Sequence, residues 1–576
     1  MNAARLLEHF ERFSEAPEAI PRLRRFIFEL AVRGKLVDPD PKDESAAELL
    51  KLMQREKARL VREGMLRKQS GLSPIDSSIL PFAVPSHWEW VPLCEIGVFS
   101  GGMTPSKSRS DFWEGSINWF SPKDIKSDEL VESELKISSL GLSETGLQLY
   151  QPGCLFMVAR SGILKRTFPV SINRVEATAN QDLKVFAPFM KGMDRYIQVM
   201  LKGMTDFILA TLVKTGTTVQ SLKYEEFEAL AVPLPPLAEQ RRIVAKVEEL
   251  MALCDRLVAA KAEREQSRNR LVRASLQRLN QADHEESLRK HAEFVLDNLG
   301  RLTTRAEHIK QLRRTILNLS LRGKLVPQVS ADEPASALHR RMVSEITTFA
   351  AERGISTAKV DPITEETTPF SLPPGWMWSR LASLFRVITD GDHQPPPRAE
   401  NGVAFLTIGN VTTGQLDFSN CRFVPQEYFD AIAPHRRPTK GDFLYTVVGA
   451  TYGRPALVDT DRPFCVQRHI GILKPVSEID LGYLHLLLSS PLIYEQATRS
   501  LTGTAQPTIP LRPLRNFLAP LPPLAEQHRI VAKVGALMAL CDQLEGQLVS
   551  TEADNSRLLE AVLHEALTTP ALAVAA

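Results

Sequence analysis

The chain has 576 residues, which at roughly 150 residues per domain corresponds to about four folding units rather than one core. Hydrophobic residues make up 43% and charged residues 24%, values typical of globular proteins, which excludes a disordered or fibrous chain. The 70 Lys and Arg residues nearly balance the 68 Asp and Glu residues, and the net charge of +2 excludes a uniformly basic, histone-like nucleic-acid binder.

The sequence also bounds the location of the protein. No apolar run approaches the roughly 18 residues that a membrane span requires, and the first residues lack the apolar core of a secretion signal. The six cysteines stand far apart without a CxxC pair, which favours reduced thiols over a zinc site or a disulfide framework. We therefore predict a cytoplasmic protein with no membrane segment.

The first predicted element is a helix near the start of the chain. An apolar stripe with helical spacing runs from Leu23 to Leu30, and Gly34 just beyond it suits a helix C-cap. The same pattern returns from Leu312, with Gly323 at the matching place. We expect these helices to pair antiparallel with longer helices later in the chain.

Each helix is followed by a region of different character. A Pro-x-x-Trp-x-Trp-x-x-Leu motif begins at Pro85 and again at Pro373, but the segments that follow share little similarity. Short β-prone runs bounded by Gly and Pro, at 154–158 and 443–448, predict mixed α/β domains of about 150 residues. We call residues 80–235 and 368–522 the first and second variable regions.

A long repeat follows each variable region. The 25 residues from Pro233 return from Pro520, 287 positions later, with 21 identities. In both copies the apolar residues recur at steps of three and four, which predicts a long helix packed against another helix. The chain is therefore two copies of one unit with constant edges and divergent middles.

Several catalytic signatures are absent from the sequence. The Gly34-Lys35 and Gly323-Lys324 pairs lack the upstream glycine and the Ser or Thr of a phosphate-binding loop. No HExxH pair appears, no GxGxxG follows a predicted strand, and no Asn-Pro-Pro-aromatic or Asp-Pro-Pro-aromatic segment suits methylation of a flipped base. We expect no catalysis, no metal and no cofactor in this chain.

A resemblance to a known family rests on the repeat, on the LPPLAEQ segments that begin at Leu234 and Leu521, and on the paired Trp-x-Trp openings. The chain resembles the specificity subunit of type I restriction-modification systems over nearly its whole length. Two further segments add to the resemblance, SGGMTPSK from Ser100 and TDGDHQPPP from Thr389.

That resemblance implies an α+β fold in which two mixed α/β target recognition domains are separated by long antiparallel, coiled-coil-like helices with an internal pseudo-twofold repeat. The domains would be 1–79 and 236–367 for the N-terminal and central helical regions, 80–235 and 368–522 for the recognition domains, and 523–576 for the C-terminal helix.

The implied function is non-catalytic recognition of a bipartite target in double-stranded DNA. Partners would be two modification subunits and the restriction subunits, which would bind the S-adenosylmethionine, ATP and magnesium of the complex. The constant helices would dock these partners and space the domains, with the residues Leu237, Ile243, Val247, Leu250, Leu524, Ile530, Val534 and Leu537.

The DNA contacts are expected from cations and amides in the variable regions, because Arg and Lys suit guanine edges and Gln suits adenine. The predicted set is Arg160, Lys165, Arg166, Gln181, Lys214 and Thr217 in the first region, and Arg436, Arg437, Tyr452, Arg454, Gln467, Arg468, Thr504 and Gln506 in the second. Each variable region is close to neutral, which predicts weak binding of DNA by the chain alone.

Other interpretations stay open at this point. Clusters such as Lys165-Arg166 also occur on solvated faces, and the polar loops that contain Thr217 and Thr504 also suit plain turns. A helical protein-interaction scaffold without a DNA role is the alternative function, and a single-chain nuclease or methyltransferase is disfavoured by the absent motifs.

Overall fold

The computed structural model describes residues 14–16, 18–66, 75–76, 80–214, 216, 219–282, 284–393, 396–503 and 506–568. The chain divides into two compact units. Unit 1 is Met1–Arg264 with Thr551–Ala576, and unit 2 is Glu265–Ser550. The division falls within the two longest helices, so each unit contains part of both.

Unit 1 combines long helices with a β-rich variable region. Its described helices are α1 (Ala19–Val32), α2 (Ala46–Arg62), α3 (Ser139–Glu144), α4 (Asp194–Gly203), α5 (Thr205–Thr211), α6 (Tyr224–Glu228) and the first part of α7 (Leu237–Gln281). Its strands are β1 (Glu89–Pro92), β2 (Gly97–Gly101), β3 (Ile117–Phe120), β4 (Glu129–Leu130), β5 (Leu135–Ile137), β6 (Leu155–Val158), β7 (Val170–Asn173), β8 (Ala177–Ala179), β9 (Leu183–Pro188), β10 (Val213–Lys214), β11 (Ser221–Leu222) and β12 (Ala231–Leu234).

Unit 2 repeats this plan after the end of α7. Its described helices are α8 (Glu285–Asp297), α9 (Leu299–Leu302), α10 (Ala306–Leu321), α11 (Ala335–Arg353), α12 (Gln426–Ala431), α13 (Leu481–Leu488), α14 (Pro491–Arg499), α15 (Leu511–Arg515) and the first part of α16 (Leu524–Thr568). Its strands are β13 (Met377–Arg380), β14 (Phe385–Asp390), β15 (Val403–Leu406), β16 (Arg422–Val424), β17 (Phe443–Thr446), β18 (Pro455–Leu457), β19 (Phe464–Val466), β20 (Ile470–Pro475) and β21 (Leu518–Leu521).

The sheets of the two units correspond. Unit 1 has a five-stranded sheet in the order β2-β9-β6-β7-β4 and a three-stranded sheet β5-β3-β8, and unit 2 has β14-β20-β17-β18 and β16-β15-β19. In each unit the first strand of the variable region pairs antiparallel with its last strand, β1 with β12 and β13 with β21. The chain therefore enters and leaves each variable region at one place.

The helices of unit 1 confirm the predicted antiparallel pairing. Arg24 on α1 contacts Asp255 of α7, Lys261 reaches the carbonyl of Ser14 at 3.1 Å, and Arg242 binds Asp43 beyond α1 at 2.7 Å. Residue numbers rise along α1 as they fall along α7, so the two helices run in opposite directions.

The end of α16 covers the other side of α1. Leu559 and Leu563 form one apolar cluster with Phe26 and Leu30, and Arg22 pairs with Glu560 at 2.5 Å. Unit 1 thus takes helical residues from both ends of the chain.

In unit 2, α10 contacts both long helices, α16 and α7, as α1 does in unit 1. Arg313 binds Asp542 at 2.7 Å on the antiparallel start of α16. On the other side, His308 contacts Asn269 of α7 at 2.7 Å, and the amide of Asn280 donates to Thr315 at 3.5 Å, so α10 runs parallel to the end of α7. The start of α16 and the end of α7 are therefore antiparallel to each other in unit 2.

The predicted fold class is confirmed. Both long helices are continuous over 45 residues, about 68 Å at 1.5 Å per residue. The helix predicted at Leu23–Leu30 is α1, and Gly34 has φ of +64°, as a left-handed C-cap requires. No helix in the described ranges is long and apolar enough to cross a membrane.

Candidate nucleic-acid interface

A joint of buried polar contacts fixes each variable region to its long helix. In unit 1 the carboxylate of Glu239, only 1% exposed, accepts from the indole of Trp88 at 3.0 Å and contacts the imidazole of His87 at 2.8 Å. In unit 2 the carboxylate of Glu526 accepts from Trp376 at 2.9 Å and from Gln328 at 2.7 Å. Burial raises the pKa of Glu526 against the opposing effect of these donors.

A buried tyrosine completes each joint. The hydroxyl of Tyr196 on α4 donates to the Pro233 carbonyl at 3.0 Å, and Tyr483 on α13 donates to the Pro520 carbonyl at 2.6 Å. Burial, followed by the nearby glutamate charge, raises the pKa of both phenols well above 10, so they stay protonated as donors. No local sequence pattern indicates these networks, because Trp88 and Glu239 are 151 residues apart along the chain.

The joint holds a set of loops that the structure brings together in unit 1. We define the unit 1 loop surface as residues 102–104, 159–166, 180–182, 214, 216 and 219–221. The backbone N–H groups of Met103, Arg160 and Ser161 donate to the carbonyls of Ala179, Asp182 and Gln220 at 2.8, 3.2 and 3.0 Å. Arg160 also bridges Ser221, which pairs with Lys214.

Four predicted cations of the first variable region lie on or beside this surface. The side chains of Arg160, Lys165, Arg166 and Lys214 are exposed, and none of them forms an ion pair within the residues that the structure describes. Gln181 accepts from the side chains of Thr104 and Asn180, which orients its amide. Thr217 lies outside the described residues. Of the predicted set, the unit 1 loop surface therefore contains Arg160, Lys165, Arg166, Gln181 and Lys214.

Arg166 also lines a cavity of about 310 Å³, together with Arg25 of α1, Lys126 and Lys202. Lys202 is neutralised by Asp128, whereas Arg25 faces Asp206 at 3.7 Å. Arg166 and Lys126 supply the cationic charge of this cavity that no described carboxylate neutralises.

Unit 2 builds an equivalent set of loops. We define the unit 2 loop surface as residues 390–393, 447–453, 467–469, 502–503 and 506–508. The N–H of Gly449 donates to the Pro507 carbonyl at 2.9 Å, and the N–H of Val447 donates to the His469 carbonyl at 3.2 Å. The side chain of Gln467 donates to His469 at 2.9 Å, and burial lowers the pKa of that imidazole, which favours its neutral form.

The predicted residues of the second region divide into two groups. Arg468 and Gln506 are exposed on the unit 2 loop surface, and Tyr452 stacks on Tyr494 with ring centroids 5.4 Å apart. Arg436 lies 3.7 Å from Asp390, and Arg454 donates to the Thr412 carbonyl at 2.9 Å, so both are partly committed within the chain. Thr504 lies outside the described residues.

Arg437 is bound inside the protein. Its guanidinium donates to the carbonyls of Ile432, at 2.8 Å, and Asp430, and it lies 4.9 Å from the ring centroid of Phe429. These contacts hold the segment after α12 in place. A DNA contact by this side chain would require those bonds to break.

The eight residues predicted for partner docking and spacing face the interior of their own unit. Ile243, Val247, Ile530 and Val534 are at most 4% exposed, and the other four are partly buried against the same cores, namely Leu237, Leu250, Leu524 and Leu537. Docking by the long helices stays a prediction, and it would involve other faces of these helices. No group of three or more potential metal ligands occurs in the described parts of the chain.

Both halves of the chain match one family of known proteins. A family model described as the type I restriction modification DNA specificity domain matches residues 85–264 and 375–550, together more than half of the chain.

Among curated proteins, the chain is 27% identical over 566 residues to the type I restriction enzyme EcoAI specificity subunit of Escherichia coli, covering 95% of this chain and 94% of that protein. It is 28% identical over 565 residues to the EcoEI specificity subunit of the same species, with the same coverage. Among solved structures, the crystal structure of the HsdS subunit from Thermoanaerobacter tengcongensis has 19% identity and a TM-score of 0.39, covering 84% of this chain and 98% of that one.

Proposed function

Because the chain belongs to the family of type I restriction-modification specificity subunits, we propose that it selects a bipartite sequence in double-stranded DNA, one half through each variable region. The observation that carries this proposal is the pair of loop surfaces. They are built on equivalent joints and backbone bonds but present different side chains. Two loop surfaces with different side chains, each held by an equivalent joint, suit a DNA target whose two halves differ in sequence.

The chemistry of the loops supports contact with a polyanion. Exposed cations that pair with no carboxylate among the described residues suit phosphates and guanine edges, and a positioned amide suits adenine. The near neutrality of the variable regions indicates that this chain contributes only part of the phosphate contacts.

The catalytic steps in this proposal belong to partner subunits. Two modification subunits would methylate adenine with S-adenosylmethionine, and restriction subunits would use ATP and magnesium. The long helices would dock these partners, and the chain itself would bind no cofactor.

The test uses the full chain co-purified with its modification subunit. The complex is incubated with genomic DNA and S-adenosylmethionine, and methylated positions are mapped by sequencing. We expect one split motif, and exchange of residues 80–235 for those of a relative should change only one half of it.

A double variant, Arg160→Ala with Lys214→Ala, should reduce methylation at that motif by about tenfold or more, since each removes one contact to DNA. Lys191→Ala is the matched control, because Lys191 is an exposed cation of the same region outside the loop surface. A complex that assembles but methylates no defined sequence would favour the helical scaffold instead.

A further inference from the structure

The two loop surfaces can be compared position by position through their backbone bonds. The bond from Ser161 to the Gln220 carbonyl matches the bond from Gly449 to the Pro507 carbonyl. The bridge between Arg160 and Ser221 likewise matches the bridge between Val448 and Thr508. These contacts give an equivalence that the dissimilar sequences of the loops do not provide.

Two positions differ in polarity across this equivalence. Ile163 lies two residues after Ser161 and corresponds to Thr451, and Val219 lies just before Gln220 and corresponds to Gln506. Ile163 is 39% exposed, whereas the adjacent Leu164 is 2% exposed, and Val219 is 41% exposed.

The two apolar side chains lie among cations. Their loops are joined by the Ser161 bond, and the same two loops carry Arg160, Lys165 and Lys214, which have no ion pair among the described residues. Two joined loops that each present an exposed apolar side chain beside such cations are complementary to a ligand that combines phosphates with small apolar groups.

The major groove of DNA offers this combination. The C5 methyl of thymine is the apolar group that base edges present there, and contact with aliphatic side chains distinguishes it from the other bases. We infer that Ile163 and Val219 form a thymine-methyl contact of the first variable region, at two positions where unit 2 carries the less apolar residues Thr451 and Gln506. This inference rests on the proposed function and names the base chemistry of one half-site.

The test removes the methyl group from the DNA rather than from the protein. The motif is first obtained by methylation mapping, and its unit 1 half is the one altered by exchanging residues 80–235. Synthetic duplexes then carry deoxyuridine in place of each thymine in turn, and binding by the complex of this chain with its modification subunit is measured. At one or more thymines of the unit 1 half we expect binding to weaken by about three- to tenfold, the range for loss of one buried methyl group. Substitutions in the unit 2 half should have smaller effects, because Thr451 offers a single methyl group and Gln506 offers none.

Protein variants assign the contact. Ile163→Asn and Val219→Gln, which replace each aliphatic side chain by a polar one without a methyl group, should each reduce the preference for thymine over deoxyuridine. Val131→Gln is the matched control, because Val131 is 62% exposed in the same variable region but lies outside the loop surface. Its preference should equal that of the unaltered complex.

The possible outcomes distinguish failure of the methyl contact from failure of the proposed function. Equal binding of thymine and deoxyuridine duplexes throughout the unit 1 half overturns the methyl contact, while sequence-specific binding still supports the proposed function. Absence of any specific motif overturns the proposed function itself. The deoxyuridine series needs no variant, so a variant that fails to assemble does not decide the result.

Discussion

The joints of the two units are nearly the same, whereas the loops that they support differ. Glu239 and Glu526 each bind an indole N–H, and Tyr196 and Tyr483 each bind a proline carbonyl. The residues that attach each variable region are therefore nearly the same in both units. The loop residues take no part in this attachment, so they can differ between the units.

One difference lies inside the joint itself. The second donor to the buried carboxylate is His87 in unit 1 and Gln328 in unit 2, and these residues come from different segments of the chain. A buried carboxylate is costly unless its oxygens are bonded, but any donor that reaches it can meet this need. The comparison indicates that both units keep a second hydrogen bond to the buried carboxylate but do not keep the same donor residue.

The largest expected effect comes from a charge in the core below the joint. Ile530→Asp in unit 2 and Ile243→Asp in unit 1 each place a carboxylate at a fully buried position. Each should lower the free energy of unfolding by about 4 kcal/mol or more. Urea unfolding followed by circular dichroism measures the loss. Ala532→Asp and Ala245→Asp, at exposed positions of the same helices, are the controls and should cost below about 1 kcal/mol. Equal losses for buried and exposed positions would contradict the packing described for the seam.

A glycine in each unit tests the contact between the first helix and the variable region. A Cβ on Gly323 would lie 2.4 Å from Cγ of Pro373, and φ is +64°. Gly323→Ala combines a left-handed backbone with a clash and should cost about 3 kcal/mol. Gly354→Ala has nearly the same φ, +62°, with no atom within 4 Å, and should cost about 1 kcal/mol.

The same pair of variants exists in unit 1. Gly34→Ala meets Pro85 at 2.4 Å, and Gly64→Ala meets nothing within 4 Å. Thermal unfolding should show the same difference between clash and control in both units. A difference confined to one unit would show that only one joint is packed as described.

The salt dependence of DNA binding sharpens the comparison of the loop surfaces. Arg160→Ala with Lys214→Ala should reduce the slope of log affinity against log salt by about 2, one for each lost phosphate contact. Arg437→Ala should leave the slope unchanged and lower the unfolding temperature instead, because its guanidinium binds Ile432 and Asp430 within unit 2. A reduced slope in that variant would place Arg437 against DNA.

The smallest effect concerns pH. Burial raises the pKa of Glu526 above 4.5, so the folded state holds this proton more tightly than the unfolded state does. The contribution of this group to stability is present at low pH and falls as the pH rises through the range just above 4.5. Glu526→Gln should flatten that part of the curve of unfolding free energy against pH, measured with urea between pH 4 and 7. A curve parallel to that of the unaltered protein would contradict the shift.

Local patterns predicted much of this architecture. The 25-residue repeat, the seam through Ile243 and Ile530, and the C-cap at Gly34 were all readable, because helical periodicity reports which residues of one element are buried. The DNA contacts stay a prediction, although backbone bonds join the loops that carry Arg160, Gln181 and Lys214 in unit 1. The sequence could not separate these from Arg437, because an arginine is equally compatible with a carbonyl of its own chain and with DNA.

The sequence by itself determined that there are two units, which segments are constant and where the long helices begin. Only the tertiary structure decided that Glu239 binds Trp88, 151 residues away, that the end of α16 completes unit 1, and that Ile163 and Val219 stand exposed beside unpaired cations. The physical reason is distance along the chain. Periodicity is a local property, whereas the partner of a polar side chain and the exposure of a loop residue depend on segments that meet only after folding.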